Sequence, residues 1–329
     1  MIRRAATWTL VVVGTTLVLS ACSSPSMLDP KGTEARSVAR IWWLMFGLAA
    51  GVYLVVGGFI LVAVMRGRRT SDGRSSRISD HAFVWLGGIV VPIVILFVLG
   101  VVTVNTTAAL RRPDADPLRI QVEGKRWWWA VSYTGTGITS AGEIHLPTGR
   151  PIEITLTSDN VIHSFWVPQL AGKLDVIPGQ RNVLRFKITH PGDYRGECAE
   201  FCGIQHANMN FRVVAESPGL YERWVSQHRN APIEPASDVA ASGEHVFQSQ
   251  SCAGCHAVRG TQAHGTLGPD LTDIGARPLL GGGVMTNTPA NLARWINDAP
   301  KYKPGVLMPA IHLSTSQTKS IVAYLESLK

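Results

Sequence analysis

The sequence predicts three unlike units in series: a two-helix transmembrane hairpin, an all-β sandwich and a small all-α domain. Three observations carry this. The runs Ile41 to Met65 and Ala82 to Val104 hold no charged residue, and each is long enough as a helix to cross about 30 Å of hydrocarbon. From Leu118 the pattern changes to short β-like runs, parted by turn signals such as Ser158-Asp159-Asn160, Pro178-Gly179 and Pro191-Gly192-Asp193. Past Asn230 the pattern is helical again, on either side of Cys252-Ala253-Gly254-Cys255-His256. A chain of 329 residues has room for two or three compact units.

At the N-terminus, Arg3 and Arg4 precede the apolar run Trp8 to Leu19, too short to span comfortably, and residues 1–21 read as a secretory signal. The run closes on Leu19-Ser20-Ala21-Cys22, which resembles a bacterial lipoprotein signal. The chain is then cut before Cys22, whose thiol carries lipid, and residues 22–40 form an exported tether. Helix one covers 41–65, with Trp42 and Trp43 at the interface. The loop 66–81 carries Arg66, Arg68, Arg69, Arg74 and Arg77, which places it in the cytoplasm, and helix two covers 82–104 with a kink expected at Pro92. Residues 105–116 read as a linker. The net charge of +8 could suggest a nucleic-acid partner, but by region the excess is +6 over 1–116, +2 over 117–229 and zero over 230–329. The basic residues therefore flank apolar segments and set membrane orientation; nucleic acid is excluded as a partner.

The β domain is assigned to 117–229. Its clearest strands are Leu118 to Val122, Trp127 to Tyr133, Pro151 to Thr157, Val183 to Ile188 and Phe211 to Val214, with Gly219 to His228 closing it as a helix. Alternation along Trp127-Trp128-Trp129 sends two rings to one face and one to the other, so at least one should approach the surface.

The chemistry concentrates in Cys198-Ala199-Glu200-Phe201-Cys202-Gly203-Ile204-Gln205-His206-Ala207-Asn208-Met209, where two thiols, an imidazole and a thioether fall within one loop. Thiolate and thioether select copper over magnesium, calcium or manganese, and imidazole completes an electron-transfer set. A further ligand is available in His163, between the apolar runs of Val161-Ile162-His163-Ser164-Phe165-Trp166-Val167. Two Cys four apart can bridge two coppers. The competing readings are a disulfide or a zinc site, neither of which uses the Met.

This loop with His163 resembles the copper A site of subunit II of the haem-copper cytochrome c oxidases. The resemblance implies a cupredoxin fold, bridging thiolates from Cys198 and Cys202, terminal ligands His163 and His206, and weak ligation by Met209 and the Glu200 carbonyl. It also implies a magnesium ion held by the Glu200 carboxylate at the boundary with subunit I, and electron entry at Trp127. The family usually has a Glu before the Trp that opens the second span, feeding a proton path; here that stretch is Asp80-His81-Ala82-Phe83-Val84-Trp85, without one.

Residues 230–237, with Pro232 and Pro235, read as a second linker and 238–329 as the last domain. Cys252, Cys255 and His256 form the attachment motif for c-type haem, two thioethers fixing the porphyrin and the His reaching the iron. Helices are expected over Ser242 to Ser251 and Ser316 to Leu328. Gly268-Pro269-Asp270-Leu271 resembles the haem-side loop of class I cytochromes c, and Met308-Pro309 their axial Met loop. Met285 is the rival, and a Pro directly after Met308 favours the latter. Such His/Met ligation raises the potential, which suits a donor to copper. His145, His190, His228, His245, His264 and His312 show no constellation and read as surface or packing residues.

The resemblance covers essentially the whole chain. It implies the electron-input subunit of an oxygen-reducing, proton-translocating oxidase in a bacterial plasma membrane, with the copper and haem domains outside. Implied partners are subunit I, subunit III, membrane lipid and an external donor, a cytochrome c or a bc1-type complex. The alternatives are a copper A nitric oxide reductase, or a membrane-anchored carrier without its own terminal enzyme.

Overall fold

A computed structural model describes residues 25–67, 80–230, 235 and 237–329. The signal segment, Cys22, most of the basic loop and most of the second linker lie outside the described residues.

Helix α1 is Thr33–Gly67, 35 residues and therefore about 52 Å long. It starts well before the uncharged run. Glu34 in its first turn suits the positive end of the helix dipole, and Ala35 and Ala39, one turn apart, are buried. The segment before it is docked on the β domain, not a free tether: the Lys31 and Gly32 amides donate to the Gln169 carbonyl and the Thr189 amide donates to the Lys31 carbonyl. Two alanines among charged residues are too weak a pattern to announce this packing in the sequence.

The second rod is α2 (Asp80–Trp85), a π-helical turn over Leu86–Val90, and α3 (Val91–Leu110). Pro92 has no amide to donate, and the turn before it widens so that the Val91 amide reaches the Leu86 carbonyl. The helix runs to Leu110, which shortens the expected linker. Both rods are long and apolar enough to cross a membrane, and their outer faces, Leu96 and Phe97 among them, are exposed in the isolated chain, as lipid-facing surfaces must be.

The β domain is a sandwich of two five-stranded sheets. The first has the order β3-β2-β1-β5-β8, from β1 (Leu118–Lys125), β2 (Trp128–Tyr133), β3 (Thr139–Ala141), β5 (Pro151–Ser158) and β8 (Asn182–Lys187). The second has the order β4-β10-β9-β6-β7, from β4 (Glu143–Pro147), β6 (His163–Trp166), β7 (Leu174–Val176), β9 (Gly192–Cys198) and β10 (Asn210–Glu216). Strict alternation along β1 and β5 buries Ile120, Val122, Ile152, Ile154 and Leu156 between the sheets. The strands that escaped sequence reading are short or interrupted: in β9 only Tyr194, Gly196 and Cys198 face inward. Helix α4 (Pro218–Asn230) seals one end with Tyr221, Trp224 and Val225.

The last domain pairs α5 (Asp238–Ser249), capped by the Ser237 hydroxyl, with α9 (Thr315–Ser327), which opens on a Ser314/Gln317 capping box. They cross at Gly243, where a Cβ would lie 2.0 Å from the Ser320 carbonyl oxygen. Short helices α6 (Cys252–Cys255), α7 (Pro289–Asn297) and α8 (Ala299–Tyr302) complete it. A ladder of two residue pairs, β11 (Leu279–Leu280) with β12 (Met285–Thr286), lies within this otherwise helical domain.

Candidate copper and haem centres

Strands β6 and β9 are antiparallel neighbours, with Phe165 opposite Cys198, so the start of one strand and the end of the other bring His163 to Cys198. The Cys198 and His163 atoms Sγ and Nδ1 are 3.9 Å apart, and Cys198 Sγ lies 3.3 Å from the Glu200 carbonyl oxygen. The loop then returns Cys202, whose Sγ is 3.8 Å from Cys198 Sγ, 3.8 Å from His206 Nδ1 and 3.8 Å from Met209 Sδ. Each sulfur thus has its own nitrogen, and the two sulfurs are shared at the centre. A disulfide needs about 2.05 Å; this spacing leaves two free thiols. The soft donor set fits copper.

The surroundings hold these donors in place. His163 is fully buried, and its Nε2 pairs with Asn160 Oδ1 at 3.2 Å, which leaves Nδ1 toward the sulfurs. Gly124 on β1 makes room for the ring, since a Cβ there would lie 2.7 Å from His163 Cδ2. Two indoles bind the loop's main chain: Trp127 Nε1 donates to the Cys202 carbonyl at 2.9 Å and Trp129 Nε1 to the Met209 carbonyl at 3.3 Å. Hydrogen bonding from Cys202 holds Cys198 well below the ordinary thiol value. The Glu200 residue itself is exposed.

Trp128 is the ring that approaches the surface, while Trp127 and Trp129 face inward. Trp127 is buried because the C-terminal domain lies over it: a Cβ on Gly203 of the loop would meet its ring at 3.1 Å, and a Cβ on Gly305 of the other domain would meet it at 3.4 Å.

In the C-terminal domain, α6 puts Cys252 and Cys255 one helical turn apart as free thiols, and His256 follows directly. His256 Nδ1 lies 2.7 Å from the Pro269 carbonyl, so it donates there and Nε2 is left for a ligand. Burial pushes this imidazole down and keeps it neutral. Gly268 is required beside it, because a Cβ would fall 2.5 Å from His256 Cε1. The Asp270 carboxylate fixes the same loop by accepting from the Thr272 amide and hydroxyl. Met285 is packed against the domain core through β12, whereas Met308 stands outside that core in a partly exposed loop. The residues present fit a covalent haem.

Sequence reading missed the roles of Gly124 and the Trp129 indole, partners brought in from other strands, and of Asn160, three residues before His163 in the turn that leads into β6. It also read His145 as lacking a constellation. Its Nε2 lies 3.0 Å from Glu143 and its Nδ1 3.2 Å from Glu216, and its ring stacks on Trp224.

Residues 136–217 match the family described as cytochrome c oxidase subunit II, periplasmic domain, and residues 240–329 match the cytochrome c family. Cytochrome c oxidase subunit 2 of Alkalihalophilus pseudofirmus is 35% identical over 326 residues, covering 95% of this chain and 94% of that one. The protein of that name from Bacillus subtilis is 29% identical over 340 residues, 95% of each chain. The crystal structure of the periplasmic domain of subunit II of cytochrome oxidase of Bradyrhizobium japonicum covers 35% of this chain and 95% of its own, at 29% identity and a TM-score of 0.34. The cytochrome c domain implies haem c, the subunit II domain implies copper, and the whole implies partnership with subunit I. The chain belongs to the cytochrome c oxidase subunit 2 family, with a cytochrome c domain at its C-terminal end.

Proposed function

We propose that this chain is the electron-input subunit of an oxygen-reducing, proton-translocating oxidase of a bacterial plasma membrane, with a binuclear copper A centre at the sulfur loop. The observation that supports this best is the pairing of one imidazole with each of two sulfurs 3.8 Å apart, beneath the Trp127 ring that the cytochrome domain covers. Bound copper and haem c would supply one-electron chemistry between an external donor and subunit I. Cys198 and Cys202 would bridge the pair, His163 and His206 would end it, and Met209 and the Glu200 carbonyl would ligate weakly. Cys252, Cys255, His256 and Met308 would hold the haem. The core around Trp129, Phe165 and Phe211 excludes water and fixes the donors, which limits reorganisation when charge changes. Trp127 would carry electrons between the domains.

The two rods would cross the membrane, both folded domains would lie outside, and Cys22 would carry lipid. The exposed Glu200 carboxylate would hold magnesium with subunit I. Subunit III and a cytochrome c or bc1-type donor would complete the system. The test is purification of the native complex, with metal analysis of this subunit and gas consumption driven by reduced cytochrome c. Two coppers and one haem iron with oxygen uptake are expected; zinc in the loop, or turnover on nitric oxide alone, would overturn the reading.

A further inference from the structure

Lys303, directly after α8 in the cytochrome domain, is 2% exposed. Its Nζ donates to three main-chain carbonyls: Gly281 of its own domain at 2.6 Å, and Trp127 and Asn208 of the copper domain at 2.8 and 2.7 Å. Desolvation drives the amine down, to about 7 even with the pull of Cys202 against it. Three carbonyl acceptors need three N–H donors, however, and so select the ammonium. Burying a lysine without a carboxylate partner is costly, and the three carbonyl bonds offset part of that cost.

The two carbonyls it reaches across the boundary are chosen by place. One belongs to Trp127, between β1 and β2, the other to the residue before Met209, so one side chain ties the Trp127 turn to the C-terminal end of the metal loop. Neighbouring contacts follow the same line. Gln205 Nε2 donates to the Pro304 carbonyl at 2.9 Å while its Oε1 accepts from Asn208, and the Asn210 amide donates to the Gly282 carbonyl at 3.2 Å. Gly282 has a φ of +75°, and a Cβ there would meet the Asn208 carbonyl oxygen at 2.7 Å, so the Gly281-Gly282-Gly283 run serves close approach to the copper domain.

Resting on the electron-input reading, we propose that Lys303 is the positioning residue of internal electron transfer: its ammonium locks the cytochrome domain onto the copper loop and holds Trp127 between them. In the transfer it serves, one electron leaves the haem iron and one arrives at the copper pair; no proton accompanies it. The ammonium's positive charge favours the reduced pair, so it raises the copper potential as well as holding the geometry.

The test compares wild type, Lys303→Met and Lys303→Arg in the full chain loaded with haem and copper, with absorption spectra confirming that both variants are folded and loaded. In Lys303→Met, haem-to-copper transfer after flash reduction slows by roughly tenfold or more, because the docked fraction falls, and it becomes dependent on solvent viscosity. The Asn210 amide exchanges faster, and the copper potential drops. Lys303→Arg keeps the charge and restores most of the potential. Wild-type transfer and wild-type Asn210 exchange in Lys303→Met would overturn the proposal. A wild-type chain that binds both metals yet never passes an electron between them would instead refute the electron-input reading, while exchange at Asn210 still reports the lock.

Discussion

In the β domain Cys198, Cys202 and Met209 belong to the hydrophobic core itself, whereas in the cytochrome domain only Cys252 of the residues proposed to hold the haem does, with Cys255 and Met308 at the margin. The copper loop is carried by two adjacent strands of a closed sandwich and tied by two buried indoles. The haem motif sits on a single helical turn and a loop. Ligands built into a core cannot be changed without disturbing the fold, while ligands at its edge can be altered for electronic effect alone. Substitutions at matched positions should separate the two cases.

The largest effect is expected at the shared sulfur. Cys202→Ser removes one bridge between donors that are now each 3.8 Å from it, so copper content should fall to one ion or none, with loss of near-infrared absorption. Covalent haem at Cys252 and Cys255 should be unaffected. Two coppers retained would remove the bridging role.

Next come the two glycines that admit an imidazole. A Cβ on Gly124 would lie 2.7 Å from the His163 ring, in a strand held on both sides by β2 and β5, and the sheet cannot yield. Gly124→Ala should cost about 1–3 kcal/mol of copper-domain stability, as overpacking does, and weaken copper binding. Gly268→Ala meets His256 at 2.5 Å but lies on a loop, so its cost should appear more in the haem spectrum than in thermal unfolding. Equal destabilisation by the two would break the contrast drawn between the sites.

The two methionines give a smaller effect. Met308→Ala should leave covalent haem and thermal stability nearly unchanged but lower the haem potential, since a thioether ligand is lost. Met285→Ala, partly buried against the core, should cost about 2 kcal/mol with little change in potential. The reverse result would move the axial role to Met285.

Much of this was legible because the ligand types and their spacing lie in sequence order: Cys198, Cys202, His206 and Met209 within one loop, Cys252, Cys255 and His256 on one turn. The longest strands, β1, β2 and β5, were also legible from alternation. What the sequence could not show came from other strands and from the other domain. Gly124 matters because β1 and β6 face one another across the sandwich, and β6 itself is only four residues long; Asn160 lies just three residues before His163, but its contact depends on how the turn between β5 and β6 closes. At least one of the three Trp rings was expected near the surface, which Trp128 fulfils; that Trp127 is covered by Gly305 of the other domain, as well as by Gly203 of the loop, could not be read locally. Lys303 reads in sequence as an ordinary surface lysine; nothing local marks a side chain whose three partners are carbonyls of residues 127, 208 and 281.

The smallest effect concerns His145, which belongs to neither ligand set. Desolvation pushes its imidazole down, but hydrogen bonds and charge from Glu143 and Glu216 outweigh it, and its pKa is raised above the ordinary 6.5. Glu143 in turn pairs with Arg212 at 3.0 Å, and Arg212 with Asp193 at 2.7 Å. The ring stacks on Trp224 at 4.4 Å, so the charged cluster fastens α4 to the second sheet. A group whose folded value is raised contributes fully below its unfolded value and loses that contribution as pH rises through the folded one. The copper domain should therefore lose stability as pH rises above 6.5 through the raised value. His145→Phe keeps the stacking on Trp224 and removes the titration. Thermal unfolding across that range should slope downward in the wild type and run flat in the variant, and parallel curves would show that the imidazole is neutral throughout and holds the helix by stacking alone.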